Sequence, residues 1–554
     1  MRQILKSGCL ALAIAVLSTT LHAETIGTII KENISAQPGE ESDAQSTDWY
    51  FAMQGRLNLI ENRLVSDIQR TEEIALWYEE RDYAPIWIVD GKPTRSAQEV
   101  IFALLTAYED GLVPVEYQAA VMYPKLSQEG DEGLADFEVS LSQSVTLYGQ
   151  HLRSGRVNPN RINRELVLYP KEISADRLLQ QLADSDNQLE TLHSFAPRTV
   201  RYERMKKHLQ HLTVWRAKGG WTKVPEGESL KPGMSDPRVA VLRQRLIESR
   251  DLPEDAHEGD LYDGSLVNAL KYFQFRMGLE ADGVVGPATL AQLNTSVEER
   301  IAQVELNLER RRWMQADFGD PHILVNLADQ VIKVVKNAKT IYAEVTQVGR
   351  PYYRTPVFSD EMEYLEFNPY WNVPYSIATK EYLPKLKKNP YALQSKAFRV
   401  LAKDKVLDPG QVPWHSYSQG EFPVRLRQDP GPSNALGRVK FMFPNEFSIY
   451  IHDTPAQSKF DRESRYFSHG CIRVQNPFGL AEALLGMQGM SRSEIDAIAN
   501  TGKRKIVKLK NKIPVHVIYL TAWVNKDGAV HYRRDVYGRD TILAKALLVD
   551  AKIE

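Results

Sequence analysis

IHDTPAQSKFDRESRYFSHGCIRVQNP, residues 451–477, is the stretch around which this chain is organised. It contains two histidines, His452 and His469, together with Cys471, and Arg473 follows the cysteine by two residues. A nucleophilic thiol needs a base within hydrogen-bond reach and backbone N–H donors for a developing oxyanion. Residues 451–477 can supply the thiol, the base and the N–H donors. We therefore expect the rest of the chain to direct export, to support this window and to shape the site around it.

Length, composition and charge limit the number of domains and the class of protein. With 554 residues it should fold into roughly three or four domains. Its hydrophobic and charged fractions, 43% and 25%, are those of an ordinary globular protein. A formal net charge of −2 gives no polyelectrolyte signal, so no nucleic-acid partner is expected.

Residues 1–23 have the layout of a secretory signal peptide. Arg2 and Lys6 form a basic start, residues 9–17 are apolar, and Ala23 ends the segment with a small side chain. An uncleaved membrane anchor is the alternative. No later segment approaches about 18 apolar residues, so the mature chain should be exported and lack a transmembrane span.

Once the signal is removed, Cys471 is the only cysteine of the chain, since the other one is Cys9. A lone thiol in an exported protein has no internal disulfide partner. A buried, inert cysteine is the ordinary interpretation. The histidine-rich, glycine-flanked surroundings of Cys471 favour a reactive thiol instead.

The region before the reactive window is predicted to be structural. Residues 24–48 should form a flexible tether, because 36–48 are polar and acidic without apolar periodicity. Residues 49–228 should form a helical domain. One helix face is marked by apolar residues at three- and four-residue steps, namely Leu134, Phe137, Leu141, Val145, Tyr148 and Leu152.

Residues 229–296 are predicted to form a small helical bundle. Asp236 is a suitable N-cap with Pro237 at the first helical position, and a second helix should begin near Ser265. The turn-rich segment 282–290 leads into a short third helix. This unit contains neither a nucleophile–base pair nor metal-ligand spacing. We therefore expect it to bind a ligand or to act as a spacer between domains.

A helix over 297–313 should follow, because Ser296 and Glu299 have the spacing of a capping box. Its apolar face should pack back on the N-terminal helices and complete the first helical domain. The catalytic region, 320–540, is then predicted to be mostly β. Its first strands, from His322 onward, should form an antiparallel meander.

An insertion of about 375–430 interrupts these strands. It is rich in proline and basic residues, and it is either a lid over the reactive window or a solvated basic face. Strand signals resume at FSIYIHD, where His452 should end a strand on the face opposite the aliphatic residues. Asn476 and Pro477 should then begin a helix that ends near Gly486. The expected fold class is therefore multidomain α+β.

Three interpretations of His452, His469 and Cys471 compete. A thiolate nucleophile with a histidine base is the first, and a neighbouring imidazolium would lower the pKa of the thiol. A zinc site is the second, although a fourth ligand and a short paired spacing are missing. In the third, the histidines only satisfy loop backbone. The first and third interpretations require no metal or other cofactor.

Spacing favours His452 over His469 as the base of a thiol nucleophile. His469 lies two residues from Cys471, which suits a loop that aims backbone N–H groups. We therefore predict an oxyanion loop formed by His469, Gly470 and Cys471, with glycine allowing close approach. Ser468 is placed to hydrogen-bond within the site, and Arg473 to hold a substrate carboxylate or brace the loop.

These residues carry a family resemblance. His452 followed by SHGCIRV, residues 468–474, resembles the signature of the L,D-transpeptidase catalytic domain. FNPYWNVPYSIA at 367–378 and PGPSNALGRVKFMFPN at 430–445 resemble the large, lid-bearing members of Gram-negative envelopes. Residues 233–294 resemble a three-helix peptidoglycan-binding domain, and the clusters at 77–91 and 151–159 resemble the scaffold domain of the same enzymes.

The resemblance implies a periplasmic acyltransferase. Cys471 would attack the carbonyl of the diamino acid in a tetrapeptide stem and release D-Ala, with His452 as general base and acid. The thioester would pass to a neighbouring stem and give a 3→3 cross-link. The implied partners are peptidoglycan stems and glycan, together with other cell-wall synthesis proteins. The implied substrate-binding residues are Ser468, Arg473, Tyr450, Trp371 and Asn434.

Two alternatives to this function stay open at the level of sequence. The acyl group can go to water, a D-amino acid or an envelope protein instead of a second stem. Alternatively, the chain is a wall-binding protein with an inactive transferase fold. Acylation by carbapenems, which the resemblance implies, separates the second alternative from the enzyme.

Overall fold

The computed structural model describes residues 65–256, 259–314, 317–403 and 405–550. The predicted signal peptide and tether, and residues 49–64 of the predicted helical domain, lie outside the described residues. Within the described ranges, no helix combines the length and the apolar character that crossing a bilayer requires.

The described residues fall into two compact units. The first contains those of Met1–Tyr108, together with Val113–Gln150 and Ile173–Phe195. Its elements are the helices α1 (Val65–Glu79), α2 (Arg95–Leu105), α3 (Ala119–Met122), α4 (Asp131–Ser154), α6 (Ala175–Ala183) and α7 (Gln188–His193), and the hairpin β1 (Ile88–Val89) and β2 (Lys92–Pro93).

Helix α4 buries the face that its periodicity predicts, since all six apolar residues at those steps are at most 4% exposed. On the same helix the fully buried carboxylate of Glu138 accepts hydrogen bonds from the Tyr78 hydroxyl and the backbone N–H groups of Ile86 and Trp87. Three donors at one carboxyl group satisfy a polar side chain that burial would otherwise penalise.

The second unit contains Glu109–Leu112, His151–Glu172 and the described residues of Ala196–Glu554. Its helices outside the catalytic sheet are α5 (Pro159–Ile162), α8 (Val200–Ala217), α9 (Pro237–Glu248), α10 (Gly264–Met277), α11 (Pro287–Leu293) and α12 (Val297–Trp313). The predicted capping box of α12 forms, with both Ser296 and Glu299 bonding the opposite backbone N–H. Helix α12 packs on α8.

Helices α9, α10 and α11 form the small bundle, and its apolar core is continuous with residues of α8 and α12. Asp236 caps α9 with Pro237 at the first position, as predicted. A polar clasp fastens this bundle to a hairpin of strands β16 (Ala522–Val524) and β17 (Val530–Tyr532). Arg276 pairs with Asp251 and donates to the carbonyl of Val530 at 2.6 Å, while Arg533 donates to the carbonyl of Arg276 at 2.8 Å.

The main sheet has nine strands in the order β13-β5-β14-β12-β11-β6-β15-β3-β4, and β4 also pairs with β5. In chain order these are β3 (His322–Asn326), β4 (Val331–Lys336), β5 (Lys339–Gly349), β6 (Phe358–Phe367), β11 (Val439–Met442), β12 (Ile451–His452), β13 (Tyr466–Ser468), β14 (Ile472–Val474) and β15 (Lys505–Ile518). The predicted meander of β3, β4 and β5 is antiparallel. Strands β12 and β14, separated in the chain by β13, pair in parallel.

The insertion forms a separate layer with its own hydrophobic core. It contains β7 (Trp371–Asn372), α13 (Tyr375–Ile377), a π-helical turn (Ala378–Tyr382), α14 (Leu383–Lys388), β8 (Phe398–Ala402), β9 (Lys405–Leu407) and β10 (Arg425–Gln428). Its strands pair in the order β7-β10-β8-β9. Leu386, Val400 and Trp414 are among the buried side chains of this core. We refer to this insertion as the lid.

The last helices are α15 (Pro477–Gly486), α16 (Arg492–Asn500) and α17 (Arg539–Asp550). Helix α15 has the predicted Asn476 cap and the predicted end. The hairpin β16–β17 is a sheet of its own, separate from the main sheet. One local expectation differs. In FSIYIHD only Ile451 and His452 form a strand, because the side chain of Asn445 accepts from the N–H groups of Phe447 and Ile449. The multidomain α+β class is confirmed.

Candidate active site

Pairing of β12 with β14 brings the reactive residues together. Ile451 lies opposite Ile472 and His452 opposite Arg473, and both isoleucines are fully buried in the core. Side chains alternate along a strand, so His452 and Arg473 share the other face of the sheet. Cys471 immediately precedes β14, where the N–H of Ile472 donates to the carbonyl of Tyr450 at 3.1 Å.

His452 is buried and oriented by backbone. Its Nδ1 lies 2.5 Å from the carbonyl oxygen of Asp453, which can only accept, so Nδ1 carries the proton and Nε2 keeps its lone pair. The Asp453 carboxylate instead accepts from the N–H groups of Arg438 and Thr454. Burial lowers the pKa of His452 to about 3, with a further lowering by Arg473. His452 is therefore a neutral imidazole at neutral pH.

Cys471 is half-buried, and its Sγ lies 3.8 Å from the carbonyl oxygen of Ser448. Burial raises the pKa of the thiol above its usual value, while Tyr450, Lys440 and Arg473 oppose that rise. The resting pair is thus a thiol beside a neutral imidazole. The sequence predicts that an imidazolium lowers the pKa of the thiol. The structure differs from this prediction, because burial and flanking cations keep His452 unprotonated.

The loop before Cys471 is braced from two sides. The N–H of Gly470 donates to Ser468 Oγ at 3.1 Å, and its carbonyl accepts from Thr355 Oγ1 at 2.7 Å. Gly470 has φ of +116°, a conformation that side-chain-bearing residues rarely adopt. Its N–H is therefore already engaged, which corrects the predicted oxyanion role of that group. Among the described residues, the backbone N–H groups of His469 and Cys471 have no acceptor.

The side chain of His469 contacts the lid. Its Nε2 lies 2.8 Å from a carboxylate oxygen of Glu381, in the π-helical turn, and its ring lies 4.9 Å from that of Tyr353 between centroids. The side chain thus connects the catalytic loop to the insertion. No local sequence pattern marks Glu381, since the surrounding segment is conspicuous for its basic residues.

Of the five predicted substrate-binding residues, two lie at the site. Tyr450 adjoins the thiol, and its ring centroid lies 5.6 Å from that of His452. Arg473 is half-buried and donates to the side chain of Gln347 at 3.3 Å.

The other three, Trp371, Asn434 and Ser468, are buried and make contacts within the fold, and their substrate-binding role stays a prediction. Trp371 packs in the lid core against Tyr382 and Phe398. Asn434 is fully buried and donates to the carbonyls of Pro369 and Asp429. Ser468, 1% exposed, holds Gly470. Their motifs resemble the family's, but a resemblance does not distinguish a residue that shapes the site from one that touches substrate.

Sequence reasoning missed Lys440 and Thr355. Lys440 lies opposite His452 in β11 and carries its Nζ 4.1 Å from the ring centroid of Tyr450. The alternation VKFM indicates that Lys440 points away from the core, so this residue was predictable once the pairing of β11 with β12 was assumed. Thr355 follows β5 in a loop, and no local pattern indicates its bond to Gly470.

Comparison with known families agrees with this architecture. Residues 320–506 match the family described as L,D-transpeptidase catalytic domain, residues 235–293 the putative peptidoglycan binding domain, and residues 72–209 the scaffold domain. The chain therefore contains an L,D-transpeptidase catalytic domain, a putative peptidoglycan binding domain and a scaffold domain.

Individual relatives carry the same description. A protein of Haemophilus influenzae described as "Putative L,D-transpeptidase" is 32% identical over 248 residues, which are 44% of this chain and 50% of that protein. The chain thus spans about half the length of this curated relative.

Two of the similar solved structures are L,D-transpeptidases. The one from Xylanimonas cellulosilytica is 16% identical, with a TM-score of 0.18, and covers 53% of this chain and 99% of its own. The one from Stackebrandtia nassauensis is 14% identical, with a TM-score of 0.21, and covers 54% of this chain and 96% of its own.

Proposed function

We propose that this protein is a cysteine-dependent L,D-transpeptidase that acts on peptidoglycan outside the cytoplasm, in the periplasm. The observation that carries the proposal is the parallel pairing of β12 with β14, which places a neutral, backbone-oriented His452 opposite Arg473, two residues after the partly accessible Cys471. A base with a free lone pair next to a thiol is the arrangement that nucleophilic acyl transfer requires.

In the proposed first step, Cys471 attacks the carbonyl of the diamino acid in a tetrapeptide stem. The Sγ–H bond breaks, the proton passes to Nε2 of His452, and the terminal D-Ala leaves with that proton. The backbone N–H groups of Cys471 and His469 are available to the developing oxyanion, since neither has an acceptor among the described residues. Arg473 is suited to the carboxylate of the stem.

In the proposed second step, the thioester passes to the side-chain amine of a neighbouring stem and forms a 3→3 cross-link. His452 takes the proton of the attacking amine. No residue of the site selects this acceptor over water, a D-amino acid or a protein amine. The multidomain architecture, with a scaffold and a wall-binding bundle, supports cross-linking and glycan binding as the physiological task.

The test is the reaction of purified protein with tetrapeptide-containing muropeptides, followed by mass analysis. Wild-type protein should release D-Ala and produce 3→3 dimers, and Cys471→Ala should reduce both by roughly a thousandfold or more, because the nucleophile is lost. The variant should still sediment with purified sacculi. Dimer formation by Cys471→Ala at the wild-type rate would refute the assignment.

A carbapenem provides a second, product-independent check. Intact-mass analysis should show one adduct on wild-type protein and none on Cys471→Ala. Wall binding without any adduct and without D-Ala release would favour the alternative, a wall-binding protein with an inactive transferase fold.

A further inference from the structure

A row of polar side chains crosses the catalytic face of the sheet. Register pairings connect five strands in a line, one residue from each, in the order Gln347, Arg473, His452, Lys440 and Glu366. The base is therefore flanked by a cation on each side. Arg473 is engaged by Gln347, whereas Lys440 has no assigned task in the proposed chemistry.

Lys440 is half-buried, and it rests on an aromatic ring instead of a carboxylate. Its Nζ lies 4.1 Å from the ring centroid of Tyr450. Its register partner Glu366 pairs with Arg504. Among the described residues, no carboxylate lies within salt-bridge distance of Lys440. Partial burial of an ammonium without an anionic partner is costly, so the fold retains this charge at an energetic disadvantage.

The groups that face Lys440 come from every neighbouring element. They are Glu366 on β6, Arg504 before β15, Tyr450 and His452 at β12, and Cys471 before β14. The charge of Lys440 lowers the pKa of the Cys471 thiol and of the His452 imidazole. The charge of Lys440 thus stabilises the thiolate of Cys471 and disfavours protonation of His452.

We propose that Lys440 is a positioning residue of the reaction: its ammonium fixes the Tyr450 ring against Cys471 and stabilises the sulfur anion that forms when the proton leaves Sγ for Nε2 of His452. This inference rests on the proposed function for its biological meaning. The thiolate itself, however, is measurable without any substrate.

The test is the pH dependence of Cys471 alkylation by iodoacetamide in the folded, full-length protein, with Cys471→Ala as the blank for Cys9. In Lys440→Met the midpoint should rise by about half to one pH unit, which slows alkylation at pH 7.5 roughly three- to tenfold. Lys440→Arg should restore the wild-type midpoint. Lys218→Met is the matched control, because Lys218 also lies over an aromatic ring, 5.2 Å from that of Trp215.

A Lys440→Met profile that coincides with wild type would overturn the inference. So would a slowing that is equal at all pH values, since a structural disturbance does not move a midpoint. If Lys440→Met fails to melt cooperatively, Lys440→Gln provides the same measurement. A shifted midpoint in a protein that makes no transfer product would leave Lys440 supported and the proposed function refuted.

Discussion

At the scale of single residues, the site depends on backbone more than on side chains. The carbonyl of Asp453 orients the base, Ser468 and Thr355 hold both polar groups of Gly470, and the available donors are main-chain N–H groups. Spacing favours His452 as the base and Cys471 as the nucleophile, and these roles stay predictions. It could not predict that Gly470 is already engaged, because that depends on the rotamer of a neighbouring serine.

Gly470→Ala tests the importance of this loop geometry. At φ of +116° an added Cβ is strained, and it would lie 3.3 Å from Ile449 Cδ1. We expect a loss of about 1–3 kcal/mol in the free energy of unfolding and at least a tenfold loss in D-Ala release. Denaturant unfolding and the muropeptide assay measure the two effects.

Gly502→Ala is the matched control, since Gly502 has φ of +64° with nothing near its Cβ position. It should cost about 1–2 kcal/mol and leave the rate unchanged. If Gly470→Ala loses stability but keeps full activity, the loop does not depend on that backbone conformation.

At the scale of elements, helix caps were predictable and long-range strand pairing was not. Ser296 with Glu299 and Asn476 with Pro477 are local signals, and each cap forms where the sequence indicates. The parallel pairing of β12 with β14 joins two short strands across an intervening segment that contains β13, which no local period encodes. The lid was foreseen as an insertion, but its own core was not, and that core explains the burial of Trp371.

The contact of the lid with His469 gives a prediction at this scale. Glu381→Gln removes the carboxylate that lies 2.8 Å from His469 Nε2. Because both side chains are partly exposed, the pair should contribute at most about 1 kcal/mol. We expect the KM for the tetrapeptide donor to rise about two- to fivefold with little change in kcat, measured by steady-state D-Ala release.

Glu421→Gln is the control, because Glu421 is an exposed lid carboxylate that makes no ion pair among the described residues. Faster hydrogen exchange over 378–388 in Glu381→Gln alone would accompany the change in KM. Unchanged KM and exchange would mean that the pair does not hold the lid.

At the scale of the whole molecule, individual buried groups in the two units favour opposite responses to acid. Burial lowers the pKa of His208 to about 3 and that of His531 to about 4, so at these two histidines of the second unit the unfolded chain binds more protons below about pH 6.5. Burial raises the pKa of Glu138, in the first unit, to about 7, so stability there falls as pH rises from about 4.5 to 7.

Substitution of His208 tests the predicted direction of the pH dependence of stability in the second unit. Its Nε2 lies 2.6 Å from the Tyr532 hydroxyl, and the stability that this buried, neutral imidazole contributes is present in full above about pH 6.5. The Tm of the second unit should fall as pH is lowered from 7.5 to 5, and His208→Phe should shrink that fall. Calorimetry at several pH values measures it, with the exposed His415→Gln as control. An identical pH slope in His208→Phe would contradict the assignment.

If the small bundle binds glycan as proposed, the clasp between it and the hairpin constrains how that binding can assist the proposed reaction. A module on a flexible linker raises the local concentration of substrate over a volume set by the linker length. Here Arg276 and Arg533 fasten the bundle to the hairpin that follows the last strand of the main sheet. A glycan strand held by the bundle would present its stems to Cys471 at one fixed offset. Such an enzyme would react fastest with stems that recur at the repeat distance of the polymer. Binding of the glycan would not bring irregularly spaced stems to Cys471.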